Sequence, residues 1–467
     1  MVIGALALIS ISALVNLIGA LGPELSFDAL YYHLTLPKLY LLWKKMPVIP
    51  GGLLYPSGQP QLMEFIYTLA LAFQGEILAK IIHWAFGIAS AWILYRLLLR
   101  LFNQKLALLG TMIFYLTPVV GWLSTTAYID LAVVFFELLA FDFFLRWHQK
   151  KKNSYLHWSG AFLGLSLSTK LLSWGTLIIY ALVFILVEKN GKRAFLAWAR
   201  VTFFALLVSW PWYFRTFWYT GNPFYPLFTN YTRKAYQLIE KNPLKIISLP
   251  WKLTFQPDSL FTPIFLMLLP LAIFGVLRSS KGVKIASFFG FLALIYWFFI
   301  PPQVIRYLLP FTPALIVFSL TAFKSSFPFK NGVNNFLTVI IFLVSFLHLG
   351  IRIVSNAKFI PVILGKETKA QFLSRHLNFN YGDFYDIDGY FAQNIKQDDL
   401  VLIYGIHNLY YVDFPFVHES WATEKMKFSH VLIKGNDIEL PKKFDSPLLI
   451  YKNSIASIKL YQLKNEN

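Results

Sequence analysis

The first three quarters of the chain alternate between long apolar runs and short clusters of charge. Val2–Leu21 carries no charged residue, and about 20 predominantly apolar residues suffice to cross a bilayer as a helix. Further runs of this kind fall at 77–99, 106–121, 129–145, 155–169, 172–187, 201–217, 260–277, 285–300, 307–323 and 335–351. They predict about eleven transmembrane helices. The first lacks a basic leader and a small-residue cleavage site, so it reads as a retained helix and not a signal peptide.

Near residue 352 the pattern changes. Short β-rich runs at 400–404, 410–412, 430–433 and 448–451 alternate with a helical pattern near 367–377 and with turns rich in Asp, Gly and Asn. This pattern predicts a small α/β domain. The expected architecture is an α-helical polytopic membrane domain over 1–351 and a C-terminal α/β extramembrane domain over 352–467.

Composition narrows the functional classes. Of 467 residues, 57% are hydrophobic and 14% charged, against roughly 25% charged in soluble domains. A cytosolic enzyme, a disordered chain and a nucleic-acid-binding domain are thereby excluded. The net charge of +19 instead marks one set of loops. Arg96, Arg100 and Lys105 lie in one, and Arg146, Lys150, Lys151 and Lys152 in the next. Lys189, Lys192, Arg193 and Arg200 follow, then Arg278, Lys281 and Lys284, then Lys324 and Lys330. Positive loops face the cytoplasm. The longer, less basic loops near 22–76, 119–128, 170, 211–259 and 301–306 therefore lie outside. An odd span count puts the C-terminal domain outside as well, on a plasma or inner membrane. The chain has no cysteine, so there is no thiol nucleophile, disulfide or Cys-ligated metal.

The outer loops hold the candidate chemistry. The first, 22–76, is far longer than the 2–8 residues usual between bundled helices. Its aromatic segments Phe27-Asp-Ala-Leu-Tyr-Tyr-His33 and Leu39-Tyr-Leu-Leu-Trp43 suit helices lying at the bilayer interface. Asp28 is either a helix N-cap or a reactive acid, and Glu64 either faces water or joins a site. Asp130, at the outer start of a span, shares the membrane face of Asp28. Paired carboxylates there suit a general base and a substrate or cation holder. Glu137 and Asp142 lie deeper in the same span, where ionisable groups default to function, although Arg146 is near enough to pair with Asp142. Lys170, Arg215 and Arg306 stand on the outer side, away from the cytoplasmic clusters. Such cations either snorkel or bind phosphate. One histidine, His33, with scattered acids does not compose a metal-ligand set. Asn230-Tyr-Thr232 is an outer sequon.

In order and membrane side, several motifs resemble the GT-C superfamily of polyprenyl-phosphate-sugar-dependent glycosyltransferases. The likeness is strongest to the bacterial relatives of protein O-mannosyltransferases and of the lipid A aminoarabinose transferase. The motifs are Phe27-Asp-Ala-Leu-Tyr-Tyr-His-Leu34, Tyr55-Pro-Ser-Gly-Gln-Pro-Gln-Leu-Met-Glu64, Ala127-Tyr-Ile-Asp-Leu131, Ser168-Thr-Lys170, Pro211-Trp-Tyr-Phe-Arg-Thr216, Gly221-Asn-Pro-Phe-Tyr-Pro226 and Arg306-Tyr-Leu-Leu-Pro310.

The resemblance implies an outward site built on the first two outer loops. Asp28 would be its catalytic base or bind the acceptor, and Asp130 would be a supporting or metal-binding acid. Lys170, Arg215 and Arg306, with His33 and Glu64, would bind substrate. It implies a polyprenyl-phosphate-linked sugar as donor, a lipid, glycan or protein acceptor, surrounding membrane lipids, and no nucleic acid. No cofactor is required by this reading, and a divalent cation, Mg²⁺ or Mn²⁺, stays open. Asp28 is followed by Ala29 and not by the Glu of the protein mannosyltransferases, which weighs against a protein-hydroxyl acceptor. The competing classes are a transporter or flippase and a non-catalytic polyprenyl-lipid-binding protein of the envelope.

Overall fold

The computed structural model describes residues 1–229, 242–248, 251, 262–324, 330–435, 444 and 447–463. The sequon at Asn230 lies outside them. The eleven apolar runs are largely helical where described. In chain order the longer helices are α1 (Val2–Leu21), α2 (Thr35–Trp43), α3 (Leu62–Gln74), α4 (Glu76–Leu101), α5 (Gln104–Tyr115), α6 (Pro118–Leu123) and α7 (Asp130–Lys150). They continue with α8 (Ser154–Leu167), α9 (Trp174–Val187), α10 (Gly191–Thr220), α11 (Ile264–Val276), α12 (Lys281–Phe299), α13 (Thr312–Leu320), α14 (Lys330–Ala357) and α15 (Lys369–His376). Among the described residues, six segments are long and apolar enough to cross a bilayer, namely α1, α4, α10, α12, Ile305–Lys324 around α13, and Gly332–Ala357 within α14. The protein is an integral, multi-pass membrane protein.

One expected span is divided. The run 106–121 becomes α5 and α6, broken at Thr117, whose ψ of 129° is extended. Pro118 follows, and a proline disfavours the helical region for the residue before it.

The chain forms two compact units. The first comprises Met1–Leu21, Gln59–Met63 and Lys80–Lys358. Small residues set its tightest packing. A Cβ on Gly160 would meet the Val201 carbonyl oxygen at 2.4 Å, and one on Gly164 the Ala205 carbonyl oxygen at 2.6 Å. A Gly-x-x-x-Gly stripe thus lets α8 lie backbone to backbone on α10, the close approach that drives helix association in lipid. The deep acids of α7 are both partnered. Asp142 pairs with Arg100 and, at 2.7 Å, with Arg146 one turn on. Glu137 accepts from the Ser166 and Thr176 hydroxyls at 3.1 and 3.0 Å. These bonds satisfy the buried carboxylates and tie α7 to α8, α9 and, through Arg100, α4.

The second unit comprises Gly22–Gly58, Glu64–Ala79 and Phe359–Asn467. Its sheet holds β1 (Val401–Tyr404), β2 (Phe416–His418), β3 (His430–Lys434), β4 (Leu448–Asn453) and β5 (Ile458–Gln462), in the spatial order β2-β1-β3-β5-β4. β1 runs parallel to β2 and β3, while β5 is antiparallel to β3 and β4. Leu402, Val431 and Ile433 form its apolar centre. Helix α15 begins with a capping box, Thr368 and Gln371 satisfying each other's backbone N–H, as that sequence pattern favours.

Two features of the sheet differ from the sequence expectation. The run 410–412 is a turn and not a strand, because Tyr410 and Tyr411 send their polar groups to the first outer loop. Strands β2 and β5 were not among the expected runs, although β5 alternates buried Ile458 and Leu460 with half-buried Lys459 and Tyr461, the period of a half-buried strand.

Candidate active site

In the membrane-spanning unit the candidate charges converge on Asp130. It is the first residue of α7, where the helix dipole favours a carboxylate, and it is 1% exposed. Lys170 leaves the turn after α8 in an extended conformation and places Nζ 2.6 Å from Asp130 Oδ1. Arg306, in the short helical turn Ile305–Leu308, holds Nη1 3.9 Å from Asp130 Oδ2. Aromatic faces confine both cations. Lys170 Nζ lies 4.4 Å from the Tyr307 ring centre, and the Arg306 guanidinium lies 5.1 Å from Tyr128 and 5.6 Å from Tyr307.

His83 on α4 had no place in the sequence reading, yet it fixes the start of α7. Its Nε2 accepts the Leu131 N–H at 2.9 Å, and its Nδ1 lies 2.9 Å from the Leu123 carbonyl oxygen and 2.8 Å from that of Thr126. A ring nitrogen that accepts an amide proton carries none, so the ring is the neutral Nδ1–H tautomer. The signal was a lone histidine inside an apolar span.

Lys170 and Tyr307 also line a cavity of about 730 Å³ in this unit, walled further by Trp174, Ile178, Tyr296 and Pro302. A largely apolar and aromatic chamber with one cation in its wall matches an amphipathic ligand with an anionic head. Arg215 sits on α10 with its guanidinium 6.0 Å from the Tyr219 ring.

In the second unit, Asp28 precedes a π-helical turn, Ala29–His33, a conformation concentrated at functional sites. Its side chain makes no capping hydrogen bond, so the N-cap alternative does not describe it. At the far end of that turn His33 Nδ1 lies 2.7 Å from Glu64 Oε1, both residues being 1% exposed. Glu64 therefore does not face water, and its Oε2 is buried without a hydrogen-bond partner among the described residues. Tyr31 reaches from the same turn to the Leu53 carbonyl oxygen.

Asp130 Oδ1 and Oδ2 each face a cation, at 2.6 and 3.9 Å, and Glu64 with His33 brings one carboxylate and one imidazole together. Among the described residues no group of three or more His, Asp or Glu side chains gathers.

Comparison with known proteins follows the same line. Residues 59–214 match the family described as dolichyl-phosphate-mannose-protein mannosyltransferase. No curated protein matches the chain by sequence. Among solved structures, ArnT from Cupriavidus metallidurans bound to undecaprenyl phosphate superposes with a TM-score of 0.65 at 11% identity, over 99% of this chain and 98% of that one. The Archaeoglobus fulgidus oligosaccharyltransferase in complex with Zn and sulfate superposes with a TM-score of 0.56 at 12% identity, over 91% of this chain and 68% of that one. The chain thus shares the fold of these two structures over nearly its whole length, and residues 59–214 match the mannosyltransferase family model.

Proposed function

We propose that the protein is an inverting glycosyltransferase that takes a sugar from a polyprenyl-phosphate donor and passes it to an acceptor hydroxyl at the outer face of the membrane. The observation that carries this reading is the Asp130–Lys170–Arg306 cluster with Lys170 in the wall of the 730 Å³ cavity. Two cations against one carboxylate leave a net positive charge, confined by aromatic rings and opening on apolar walls. A prenyl chain ending in a phosphate offers the complementary shape and charge. The ArnT structure that superposes on the chain was solved bound to undecaprenyl phosphate, which supports the same ligand class here.

The roles follow from the chemistry. The anomeric carbon already carries a phosphate leaving group, so the donor needs no further activation. Asp28 takes the acceptor hydroxyl proton, a contribution of about 10²–10⁴-fold. The acceptor oxygen bonds to the anomeric carbon as the bond from that carbon to the phosphate oxygen breaks, with inversion. Lys170 and Arg306 stabilise the charge that accumulates on the departing polyprenyl phosphate. Asp130 holds the two cations apart and oriented, and His83 holds the start of α7, on which Asp130 sits. In this reading the C-terminal domain and the first outer loop are extracytoplasmic. The acceptor is a lipid or glycan hydroxyl in preference to a protein one.

The test is a purified preparation in lipid nanodiscs, supplied with a panel of polyprenyl-phosphate sugars and candidate acceptors and read by product mass. The expected result is a glycosylated acceptor together with free polyprenyl phosphate. Tight donor binding with no covalent product from any acceptor would overturn it.

A further inference from the structure

Within the second unit, the segment that follows β1 grips the first outer loop on both sides of Asp28. The Tyr411 hydroxyl donates to the Glu24 carbonyl oxygen at 2.9 Å, four residues before Asp28. The Tyr410 N–H donates to the Leu30 carbonyl oxygen at 3.3 Å, two residues after it. Lys38, one turn into α2, donates to the carbonyl oxygens of Tyr410 at 2.8 Å and Val412 at 2.6 Å, and to Asp413 Oδ1 at 2.6 Å. Glu76 backs the two phenols. Its Oε2 accepts from Tyr410 at 2.8 Å, its Oε1 lies 3.3 Å from the Tyr411 hydroxyl, and Lys369 Nζ sits 2.7 Å from Oε1.

The investment in buried polar contacts is large for a surface loop. Tyr410 is 9% and Tyr411 5% exposed. Burial pulls the Lys38 ammonium below the ordinary lysine range, against the opposing pull of Asp413. The loop is also braced from within. Glu24 Oε1 accepts the N–H groups of Leu25 and Ser26, both at 2.9 Å, and Thr35 Oγ1 donates to the Leu30 carbonyl oxygen at 2.7 Å. Asp28 thus sits on a backbone held at residues 24, 30 and 38 by a stretch of chain more than 370 residues away.

We infer that Tyr410, Tyr411 and Lys38 are positioning residues for Asp28, making the C-terminal domain an integral part of the reactive loop; this rests on the glycosyltransferase reading above. A base misplaced by about 1 Å can cost on the order of 10²-fold in rate, and loss of one bracing hydrogen bond corresponds to about 10-fold.

The experiment compares Tyr411→Phe and Lys38→Met with wild type and with Asp28→Asn, all as full chains in nanodiscs. Each should lower kcat about 10-fold while the donor KM stays within about twofold of wild type. Lys38→Arg should recover part of the Lys38→Met loss. On the Asp28→Asn background, Tyr411→Phe should cause no further loss, because the residue it acts through is already gone. An equal fractional loss on that background, or wild-type kcat in both single variants, would overturn the inference. Hydrogen exchange provides a readout that needs no turnover: amides of residues 25–34 should exchange faster in Tyr411→Phe. Unchanged exchange there defeats the brace even if wild type proves active. Faster exchange in Tyr411→Phe, alongside a wild type that transfers no sugar, defeats the glycosyltransferase reading instead.

Discussion

Replacing Lys170 with methionine tests how the Asp130 cluster is held. Methionine keeps much of the length and apolar stem of lysine and removes the ammonium. Asp130 then remains 1% exposed, with Arg306 3.9 Å from Oδ2 as the cation left to it among the described ion pairs. At an effective dielectric of about 20, Coulomb's law assigns roughly 6 kcal/mol of attraction to a contact at 2.6 Å and roughly 4 kcal/mol to one at 3.9 Å. Desolvation opposes both. Removing one partner of a buried pair exposes that penalty and costs about 3–5 kcal/mol. Lys170→Met should therefore destabilise the protein by that amount in equilibrium denaturation in mixed micelles. The double variant Asp130→Asn with Lys170→Met removes the stranded charge, so it should be at least about 2 kcal/mol more stable than Lys170→Met alone. The Arg306 side chain is 20% exposed, so losing its contact with Asp130 costs less than stranding the carboxylate. Single-variant losses that add to within about 0.5 kcal/mol would show that the pair is not coupled, and the account of this cluster would fall.

Three further outcomes follow. Asp28→Asn should preserve folding and donor binding while kcat falls roughly 10²-fold, measured under saturating donor and acceptor; near-normal turnover would send the search for the base to Glu64 or Asp130. His83→Phe strands the Leu131 N–H and two buried carbonyl oxygens, so denaturation should show a loss of about 2–4 kcal/mol, with His83→Asn losing less. In the C-terminal sheet, burial, with a smaller contribution from nearby His407, pushes the His418 imidazole from 6.5 down to about 4. Between those values the unfolded chain binds the extra proton, so this group's contribution to stability is complete above about pH 6.5 and declines as pH falls towards 4, by at most about 3 kcal/mol. Protection factors of β1 and β2 amides, corrected for intrinsic exchange, should fall as pH drops through that window in wild type and less steeply in His418→Asn.

The membrane helices were legible because each is a local property. A run such as Val2–Leu21 declares itself without reference to any other residue. Charges placed at the outer ends of spans also drew attention to Asp130, Lys170 and Arg306, since an isolated charge in such a chain is costly wherever it lies. What the sequence did not contain was the pairing. That Lys170 meets Asp130 Oδ1 depends on how the turn after α8 packs against the start of α7. His83 escaped notice because a histidine amid leucines and isoleucines looks the same whether it fills space or clamps a helix. Whether Glu64 faces water or joins a site stayed open for a similar reason, its partner His33 being 31 residues away. Tyr410-Tyr411-Val412 has the composition of a strand, and composition does not reveal that the phenols and a backbone N–H are spent on Glu24, Leu30 and Glu76. Such errors fall where a residue's polar group is committed to a distant segment.

The three-segment construction of the second unit has a consequence for when the protein becomes competent. Its first two segments end at Ala79 and its third begins at Phe359, so about 280 residues must be made between them. At roughly 5–20 residues per second, synthesis of that interval takes about 15–55 s. Throughout it, Glu24, Leu30, Lys38 and Glu76 await Tyr410 and Tyr411, and the loop around Asp28 lacks its brace. A chain stopped after the last membrane helix therefore leaves the 22–58 loop without the contacts of Tyr410 and Tyr411. The same order of events makes an intact C-terminal sheet the mark of a finished molecule. Protease resistance of the 22–58 loop should rise abruptly once residues 401–413 have been translated and packed against it.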